Sequence, residues 1–319
     1  MRILVTGGAG FIGANLAEKL LGDERVDLVR VMDNLSTGSE QNIEEFSKHN
    51  KFEFAKEDIS DYTSCTRCCE GIDIISHQAA LGSVPRSIID PINTNASNIT
   101  GTLNIFTAAK EKKIRRVVYA GSSSTYGDHP ALPKTEDRIG NPLSPYAVTK
   151  YVSELYARVF ADIYNMEFIG LRYFNIFGPR QRLSGAYAAV IPIFIKALME
   201  HKPPTINGDG KHSRDFTYVD NAVQANLLAM FTKEKKAVNQ VYNIACGQQT
   251  SLIELYNYLK KIANSDLKPV HGPARTGDVQ HSLASIQKAS ELLGYQPGIL
   301  IEEGLRRTFN WYQEKKVSA

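Results

Sequence analysis

The sequence predicts an α/β fold, a doubly wound parallel sheet followed by a smaller mixed α/β region. Three observations predict it. Short apolar runs alternate with stretches of helical period through the first half of the chain, the pattern of βαβ units. The first run passes straight into Gly7-Gly8-Ala9-Gly10-Phe11-Ile12-Gly13, a glycine-spaced turn that opens a helix. The polar residues best suited to chemistry fall just past strand ends, at Asp33, Asp58, Gln78-Ala79-Ala80, Ser122 and Asn175. In an open parallel sheet that edge is where ligands bind.

The elements follow in order. Residues 2–6 form an apolar strand, and 13–21 have helical period, with Phe11, Ile12, Leu16, Leu20 and Leu21 apolar. Strands are expected over 26–32, ended by Asp33-Asn34, and over 51–56, ahead of Asp58. A helix over 63–70 precedes a strand over 72–77, and 91–113 reads as one long helix. Residues 116–120 form a strand ending in Gly121-Ser122-Ser123-Ser124. A helix over 144–164 has Pro145 in its first turn, where a missing N–H is tolerated, and 168–172 is again a strand. Parallel crossovers are right-handed, which gives a Rossmann-type arrangement. Past Phe177, Gly178-Pro179, Pro192, Pro203-Pro204, Gly208 to Gly210, Pro269 and Gly272-Pro273 break the chain into shorter pieces. The division expected is a dinucleotide-binding part over 1–177 and a smaller substrate-binding part over 178–319, with returns to the first near 219–245.

Composition bounds the partners. The 319 residues suffice for one large domain or two that share a core. With 43% hydrophobic and 22% charged residues the chain is of ordinary globular type. A net charge of +3 is too small to imply nucleic-acid or membrane binding, and Lys112-Lys113 and Lys233 to Lys236 are short surface pieces. No apolar stretch is long enough to span a bilayer, and Met1 is followed at once by a strand rather than a leader, so a cytoplasmic protein is expected. Cys65-x-x-Cys68-Cys69 has no second ligand pair at the spacing a tetrahedral metal site needs. Reduced helix cysteines and no metal are expected.

Glycines at the turn let the backbone approach a pyrophosphate, and the following helix offers unpaired N–H groups and the positive end of its dipole. Gly8-x-Gly10-x-x-Gly13 is a weak signal alone, but here it sits between strand and helix, with Asp33 twenty residues after Gly13. That places a carboxylate where adenosine ribose hydroxyls bind, and a carboxylate repels a 2′-phosphate. NAD is expected rather than NADP. Further on, Tyr146-x-x-x-Lys150 puts a phenol and an amine on one helix face. An unperturbed phenol, with a pKa of about 10, is a poor base, and a neighbouring cation favours the phenolate. Lys150 and the positive ring of an oxidised nicotinamide would supply that charge. Ser122, at a strand end, is placed to hydrogen-bond the same substrate hydroxyl.

With these motifs in place, the chain resembles an extended short-chain dehydrogenase/reductase of the NAD-dependent nucleotide-sugar epimerase type. The resemblance covers nearly the whole length. It rests on Thr6 to Gly13, Asp33-Asn34-Leu35, Asp58-Ile59, His77-Gln78-Ala79-Ala80 and Asn98-x-x-Gly101-Thr102-x-Asn104. It continues through Ser122-Ser123-Ser124-Thr125-Tyr126-Gly127, Tyr146-x-x-x-Lys150, Arg172-Tyr173-Phe174-Asn175 and Arg214 to Asp220. The resemblance implies that Tyr146, Lys150 and Ser122 are catalytic. It implies that NAD is held by Gly7, Gly10, Phe11, Ile12, Gly13, Asp33, Asn34, Ser36, Thr37, Gly38, Asp58, Ile59, Gln78, Ala79, Ala80, Asn98, Tyr146, Lys150 and Tyr173. His77 reads as packing beside the cofactor, and Tyr151, Tyr156 and Phe160 as core or subunit contacts.

Finer features, Ala80 to Ser87, Gly185 to Pro192 and Gly277 to Ser282, are similar to UDP-N-acetylhexosamine 4-epimerases. That similarity implies Arg214 and Arg275 on the UDP pyrophosphate, where a planar guanidinium bonds bidentately. It implies Asn175, Ala189 and Val190 on the nucleotide, Asn207 and Asp278 at the uridine end, and Gly82, Ser83, Ser122, Ser123 and Tyr146 at the sugar. Ser282 matches a position where a bulky residue leaves room only for a plain hexose and a serine admits a 2-acetamido group. The implied reaction is C4 epimerisation of UDP-N-acetylglucosamine through a 4-keto sugar, with UDP-glucose also accepted. UDP-glucuronate and UDP-galactose 4-epimerases are the alternatives. Dehydratases and decarboxylases usually place an acidic residue where Ser123 and Ser124 stand, and a non-catalytic NAD-binding sensor or scaffold commonly lacks the tyrosine or lysine. The family's four-helix interface implies a homodimer through 91–113 and 144–164.

Overall fold

The computed structural model describes residues 1–183, 188–273 and 280–317. At its centre is a seven-stranded sheet of β1 (Arg2–Thr6), β2 (Leu28–Met32), β3 (Phe52–Ala55), β4 (Ile74–His77), β5 (Arg116–Ser122), β6 (Glu167–Tyr173) and the strand Gln240–Ile244. The order is Gln240–Ile244, β6, β5, β4, β1, β2, β3, and every pairing is parallel. β2 and β3 lie on one side of β1 and β4 on the other, so the winding reverses at β1. The crevice of a doubly wound sheet opens at such a point, here beyond Thr6 and His77, which are partners in register.

Side chains of β1 sort by alternation. Ile3 and Val5 join a layer with Ala14, Ala17 and Leu20 of the helix Phe11–Leu21 and Ala222, Ala225 and Ala229 of the helix Val219–Phe231. Leu4 joins the opposite layer with Cys65, Phe106 and Phe160 from the helices Tyr62–Cys68, Gly101–Glu111 and Pro145–Tyr164. Both faces are covered, which is why β1 reads as an unbroken apolar run. The first layer continues into Phe194, Leu255 and Phe309, on the helices Val190–Met199, Leu252–Ile262 and Ile301–Val317. Apart from Gln240–Ile244, the strands of this later part among the described residues are short: Thr205–Asn207 pairs with Val270–Gly272, Ser213–Arg214 with Thr250–Ser251, and Thr217–Tyr218 with Ile176–Phe177.

The doubly wound parallel sheet expected from the sequence is thus present, and the differences fall near the crevice. β5 runs on to Ser122 and β6 to Tyr173, and these two end residues pair in register. The long helix expected over 91–113 is instead Pro91–Asn95, a π-helical turn Ala96–Thr100, and Gly101–Glu111. The widened turn carries Asn98, whose amide accepts from Leu81 N at 2.7 Å and donates to Leu81 O at 3.1 Å. The short helix Val84–Ile89 has start signals in Ser83 and Pro85 but no apolar period, because Val84, Ile88 and Ile89 are exposed. Cys65, Cys68 and Cys69 are buried, and burial pushes their thiols up, to about 12 for Cys69. Among the described residues no helix is long and apolar enough to cross a membrane.

Candidate active site

A cavity of about 900 Å³ opens beyond the ends of β1, β2, β4, β5 and β6. Its floor starts at the glycine turn. Gly7 has φ +67°, and a Cβ on Gly13 would lie 2.2 Å from the Gly7 carbonyl oxygen, so only glycine lets the helix begin this close to the turn. Gly10 is the N-cap of the helix Phe11–Leu21 and no side chain caps it, whereas Ser144 caps the helix Pro145–Tyr164 by accepting from Ala147 N at 3.1 Å. Gly7, Gly10, Phe11, Ile12 and Gly13 line the cavity. The uncapped N–H groups therefore face a space suited to a pyrophosphate.

Asp33 lies at the end of β2 and accepts from Ala9 N at 3.0 Å and Leu35 N at 2.8 Å. Burial pushes its carboxyl up, opposed by the backbone N–H groups of Leu35, Ala9 and Gly10. Asn34, Ser36, Thr37, Ile59, Ala79 and Ala80 complete this wall. Three residues implied in cofactor binding stand one layer behind it. Gly38 packs against Asp33, where a Cβ would come within 2.9 Å of Oδ1. Asp58 accepts from Asn34 Nδ2 and Ser60 N, each at 2.7 Å, and so orients Asn34. Asn98 holds Leu81. The uncapped helix start and the ribose-side carboxylate fit NAD.

Beneath the far end of this wall is a closed polar ring. Asn226 Nδ2 donates to Tyr173 Oη at 2.7 Å, and Tyr173 Oη donates to Gln78 Oε1 at 3.0 Å. Gln78 Nε2 donates to Asn226 Oδ1 and to Ser76 Oγ, both at 3.0 Å. Gln78 and Tyr173 line the cavity, but both amide protons of Gln78 are committed inward, so its side chain offers a ligand only an acceptor lone pair. His77 is also fully engaged. Thr102 Oγ1 donates to Asn98 O at 2.6 Å, so it accepts from His77 Nε2 at 2.9 Å, and His77 Nδ1 then accepts from Thr6 Oγ1 at 2.7 Å. Burial, then the charge of Lys150, pushes His77 down to about 3. It is neutral and has no proton to exchange with a ligand.

Tyr146, Lys150 and Ser122 line one end of the cavity together. Lys150 Nζ donates to the Ala120 carbonyl at 2.9 Å and lies 5.9 Å from the Tyr146 ring centre. Burial pushes the lysine down to about 8. Burial also pushes the Tyr146 phenol up, with the Ser122 hydroxyl acting against it. The expectation from spacing was that Lys150 lowers the phenol. Without NAD, burial and the Ser122 hydroxyl set the shift of the phenol, and the Lys150 ammonium donates to the Ala120 carbonyl. Ser122 accepts from Ser124 N at 3.2 Å and Ser124 Oγ at 2.9 Å, which aims its own proton elsewhere, toward the phenol.

On the substrate side Gly82, Ser83, Asn175 and Ala189 line the cavity. Ser83 and Asn175 hold positive φ, +96° and +39°, as does Arg180 at +68° on the same wall, and such strain gathers at functional sites. Ala189 is the uncapped start of the helix Val190–Met199. Ser123, Val190, Asn207, Arg214 and Ser282 lie outside the wall. Arg214 Nη1 donates to Ser213 O at 2.9 Å, and Ser282 N donates to Ser213 O at 3.1 Å. Arg275, Asp278 and the stretch 185–187 fall outside the described residues.

The sequence reading did not mark Asn226, Arg180, Arg182, Trp311 or Tyr312, and all but Asn226 line the cavity. Asn226 had a weak signal: with Asn221 it is one of two asparagines among the buried positions of the helix Val219–Phe231. The others come from segments far apart in sequence, with no motif to join them.

The comparisons with known proteins agree with this geometry. The profile of the NAD dependent epimerase/dehydratase family matches residues 3–245. A UDP-glucose 4-epimerase of Mycolicibacterium smegmatis is 36% identical over 317 residues, covering 99% of each chain. The structure of a UDP-N-acetylglucosamine 4-epimerase from Methanobrevibacter ruminantium M1, in complex with UDP-N-acetylmuramic acid, superposes with a TM-score of 0.93 at 36% identity, covering 98% of each chain. That of a UDP-glucuronic acid 4-epimerase from Bacillus cereus, with UDP-glucuronic acid and NAD, gives 0.90 at 33% identity over 99% of this chain and 100% of that one. A Rossmann-type sheet, a glycine turn with Asp33 behind it, and Tyr146 with Lys150 at the far end of one cavity thus accompany a family match over most of the length: this chain belongs to the NAD-dependent epimerase/dehydratase family of enzymes.

Proposed function

We propose that this enzyme is a UDP-sugar 4-epimerase whose preferred pair is UDP-N-acetylglucosamine and UDP-N-acetylgalactosamine, with UDP-glucose and UDP-galactose also turned over. One observation carries the reading: Tyr146, Ser122 and Lys150 end on the same cavity that the glycine turn and Asp33 line. NAD, held along the glycine turn and Asp33, would supply reversible hydride exchange at the sugar C4 and so would be restored in each turnover. Tyr146 Oη removes the proton of the sugar 4-hydroxyl and later returns it. Ser122 Oγ shares that hydrogen bond and steadies the phenolate. Lys150, fixed by Ala120 O, contributes positive charge near the phenol without competing for its proton. The uncapped N-terminus of the helix Val190–Met199 suits the uridine diphosphate, which would tether the 4-keto sugar while it turns over in the site.

The acetamido preference rests on the resemblance at Ser282, a small residue just outside the cavity wall, and on a relative that is a UDP-N-acetylglucosamine 4-epimerase; other relatives are epimerases of UDP-glucose or UDP-glucuronic acid. Separate incubation with UDP-N-acetylglucosamine, UDP-glucose and UDP-glucuronate, with products resolved by chromatography, tests it. Turnover of the glucuronate alone overturns the substrate choice, and bound NAD with no product on any sugar points to a binding protein. Ser282→Tyr is expected to impair the acetamido pair selectively, and equal loss on all substrates ends the gating role. Val148, Leu155, Val159 and Ile163 form an exposed apolar stripe on the helix Pro145–Tyr164, and Ile88, Ile89 and Ile92 are exposed on the neighbouring short helices. That stripe supports a homodimer through a four-helix bundle. Val159→Glu with Ile163→Glu should then yield monomers in sedimentation. The enzyme would meet its nucleotide sugars in the cytoplasm.

A further inference from the structure

Retention of NAD through both hydride steps is part of the reading above, and residues 180–183 lie on the wall of the same cavity. Arg180, Gln181, Arg182 and Leu183 line the cavity together with Trp311 and Tyr312 of the helix Ile301–Val317. This segment is fastened at several points. The Arg180 guanidinium, only 7% exposed, donates to Glu18 Oε2 at 2.7 Å, to Glu45, and to Asn15 Oδ1 at 3.2 Å, and lies 5.5 Å from the Phe46 ring centre. Asn15 Nδ2 donates in turn to Pro179 O at 3.1 Å. Arg182 Nη2 donates to Gly38 O at 3.3 Å, and Tyr312 Oη donates to Gln181 O.

Apart from Tyr312, the anchors belong to the elements around the glycine turn and Asp33. Asn15 and Glu18 are on the helix Phe11–Leu21, whose start faces the pyrophosphate space. Glu45 and Phe46 lie in the turn Glu44–Phe46, and Gly38 directly follows Ser36 and Thr37 of the ribose wall. Arg180 itself holds φ +68°, a conformation a β-substituted residue keeps only when its surroundings impose it. Its two carboxylate partners are each about half exposed while the guanidinium is buried. Protein charges on two elements thus converge on one buried cation.

We propose that Arg180 is a positioning residue for cofactor retention: it bolts residues 180–183 to the elements of the adenosine half of the cavity and so closes the path by which NAD would leave. The inference rests on NAD being a resident cofactor, and the experiment separates the two ideas. Wild-type protein, Arg180→Met, Arg180→Lys and the double variant Glu18→Gln/Glu45→Gln are loaded with NAD and desalted. Protein-bound NAD is then counted in acid extracts over time. Wild type is expected to keep its NAD, Arg180→Met to lose it at least about tenfold faster, and the lysine and double variants to fall between. Rapid loss from wild type overturns the resident-cofactor reading. Retention by wild type and Arg180→Met alike overturns the role of Arg180 alone. Melting temperatures with and without NAD give the second readout: retention by Arg180 shows as a smaller NAD-induced rise in Arg180→Met. An equal fall in the NAD-free and NAD-loaded forms, with unchanged loss rates, makes Arg180 a structural residue only and overturns the proposal. If Arg180→Met does not fold, the double variant, altered only at half-exposed side chains, decides by the same criteria.

Discussion

Lys150 Nζ donates to the Ala120 carbonyl at 2.9 Å, which holds a buried ammonium beside the phenol of Tyr146 rather than on it. Burial lowers that lysine from 10.5 to about 8. The folded protein therefore binds the proton less tightly than the unfolded chain. The cost is fully present below about pH 8 and fades as pH rises toward 10.5. Lys150→Met in NAD-free protein should raise stability at pH 7 by about 1–3 kcal/mol, allowing for the lost hydrogen bond, with the difference closing by pH 10. Its epimerase activity should fall sharply. Urea denaturation at the two pH values checks this; a variant no more stable than wild type at pH 7 contradicts it.

His77 titrates in the opposite range. Burial lowers it from 6.5 to about 3, so the unfolded chain takes up a proton between those values and the folded one does not. Stability is lost as pH falls through that window, by about 2 kcal/mol between pH 7 and pH 5. Asp215 opposes it: burial pushes its carboxyl up to about 6, so its cost to the fold grows as pH rises from about 4 to 6. Comparing wild type with His77→Gln isolates the histidine, since Asp215 is common to both. The expected result is a flatter acid limb in the variant; superimposable limbs would show that His77 is not the group.

Asn226 closes the ring that turns the Gln78 amide and the Tyr173 hydroxyl inward. Asn226→Leu takes one hydrogen-bond partner from the Gln78 amide and one from the Tyr173 hydroxyl, a cost of roughly 1–3 kcal/mol. Denaturation should show that loss together with weaker NAD binding, because Gln78 and Tyr173 line the cavity. Unaltered NAD affinity would confine Asn226 to a packing role.

Legibility in the sequence followed the range of the interactions. The glycine turn, Asp33 and the Tyr146–Lys150 pair are local patterns tied to strand ends or to one helix face, and all reach the cavity wall. The alternation that produced the sheet is equally local. The π-helical turn at Ala96–Thr100 was hidden, because it arises where Asn98 reaches across to Leu81 and where a Cβ on Gly101 would strike Ile59 at 2.6 Å. Asp58 was read as touching the cofactor, and one carboxylate oxygen proves committed to Asn34, a distinction only coordinates make. Arg180 and Tyr312 join the site from segments more than a hundred residues apart, and no spacing rule links them to the glycine turn.

The most direct measurement is the epimerase activity of Tyr146→Phe on UDP-N-acetylglucosamine, with bound NAD counted in the same sample. Removing one hydroxyl leaves the ring and the cavity in place, so NAD should remain at wild-type stoichiometry. Activity should fall about 10²–10⁴-fold, the usual contribution of a positioned general base. A variant that keeps its NAD and epimerises within a few-fold of wild type would contradict the assignment of Tyr146 as the proton carrier.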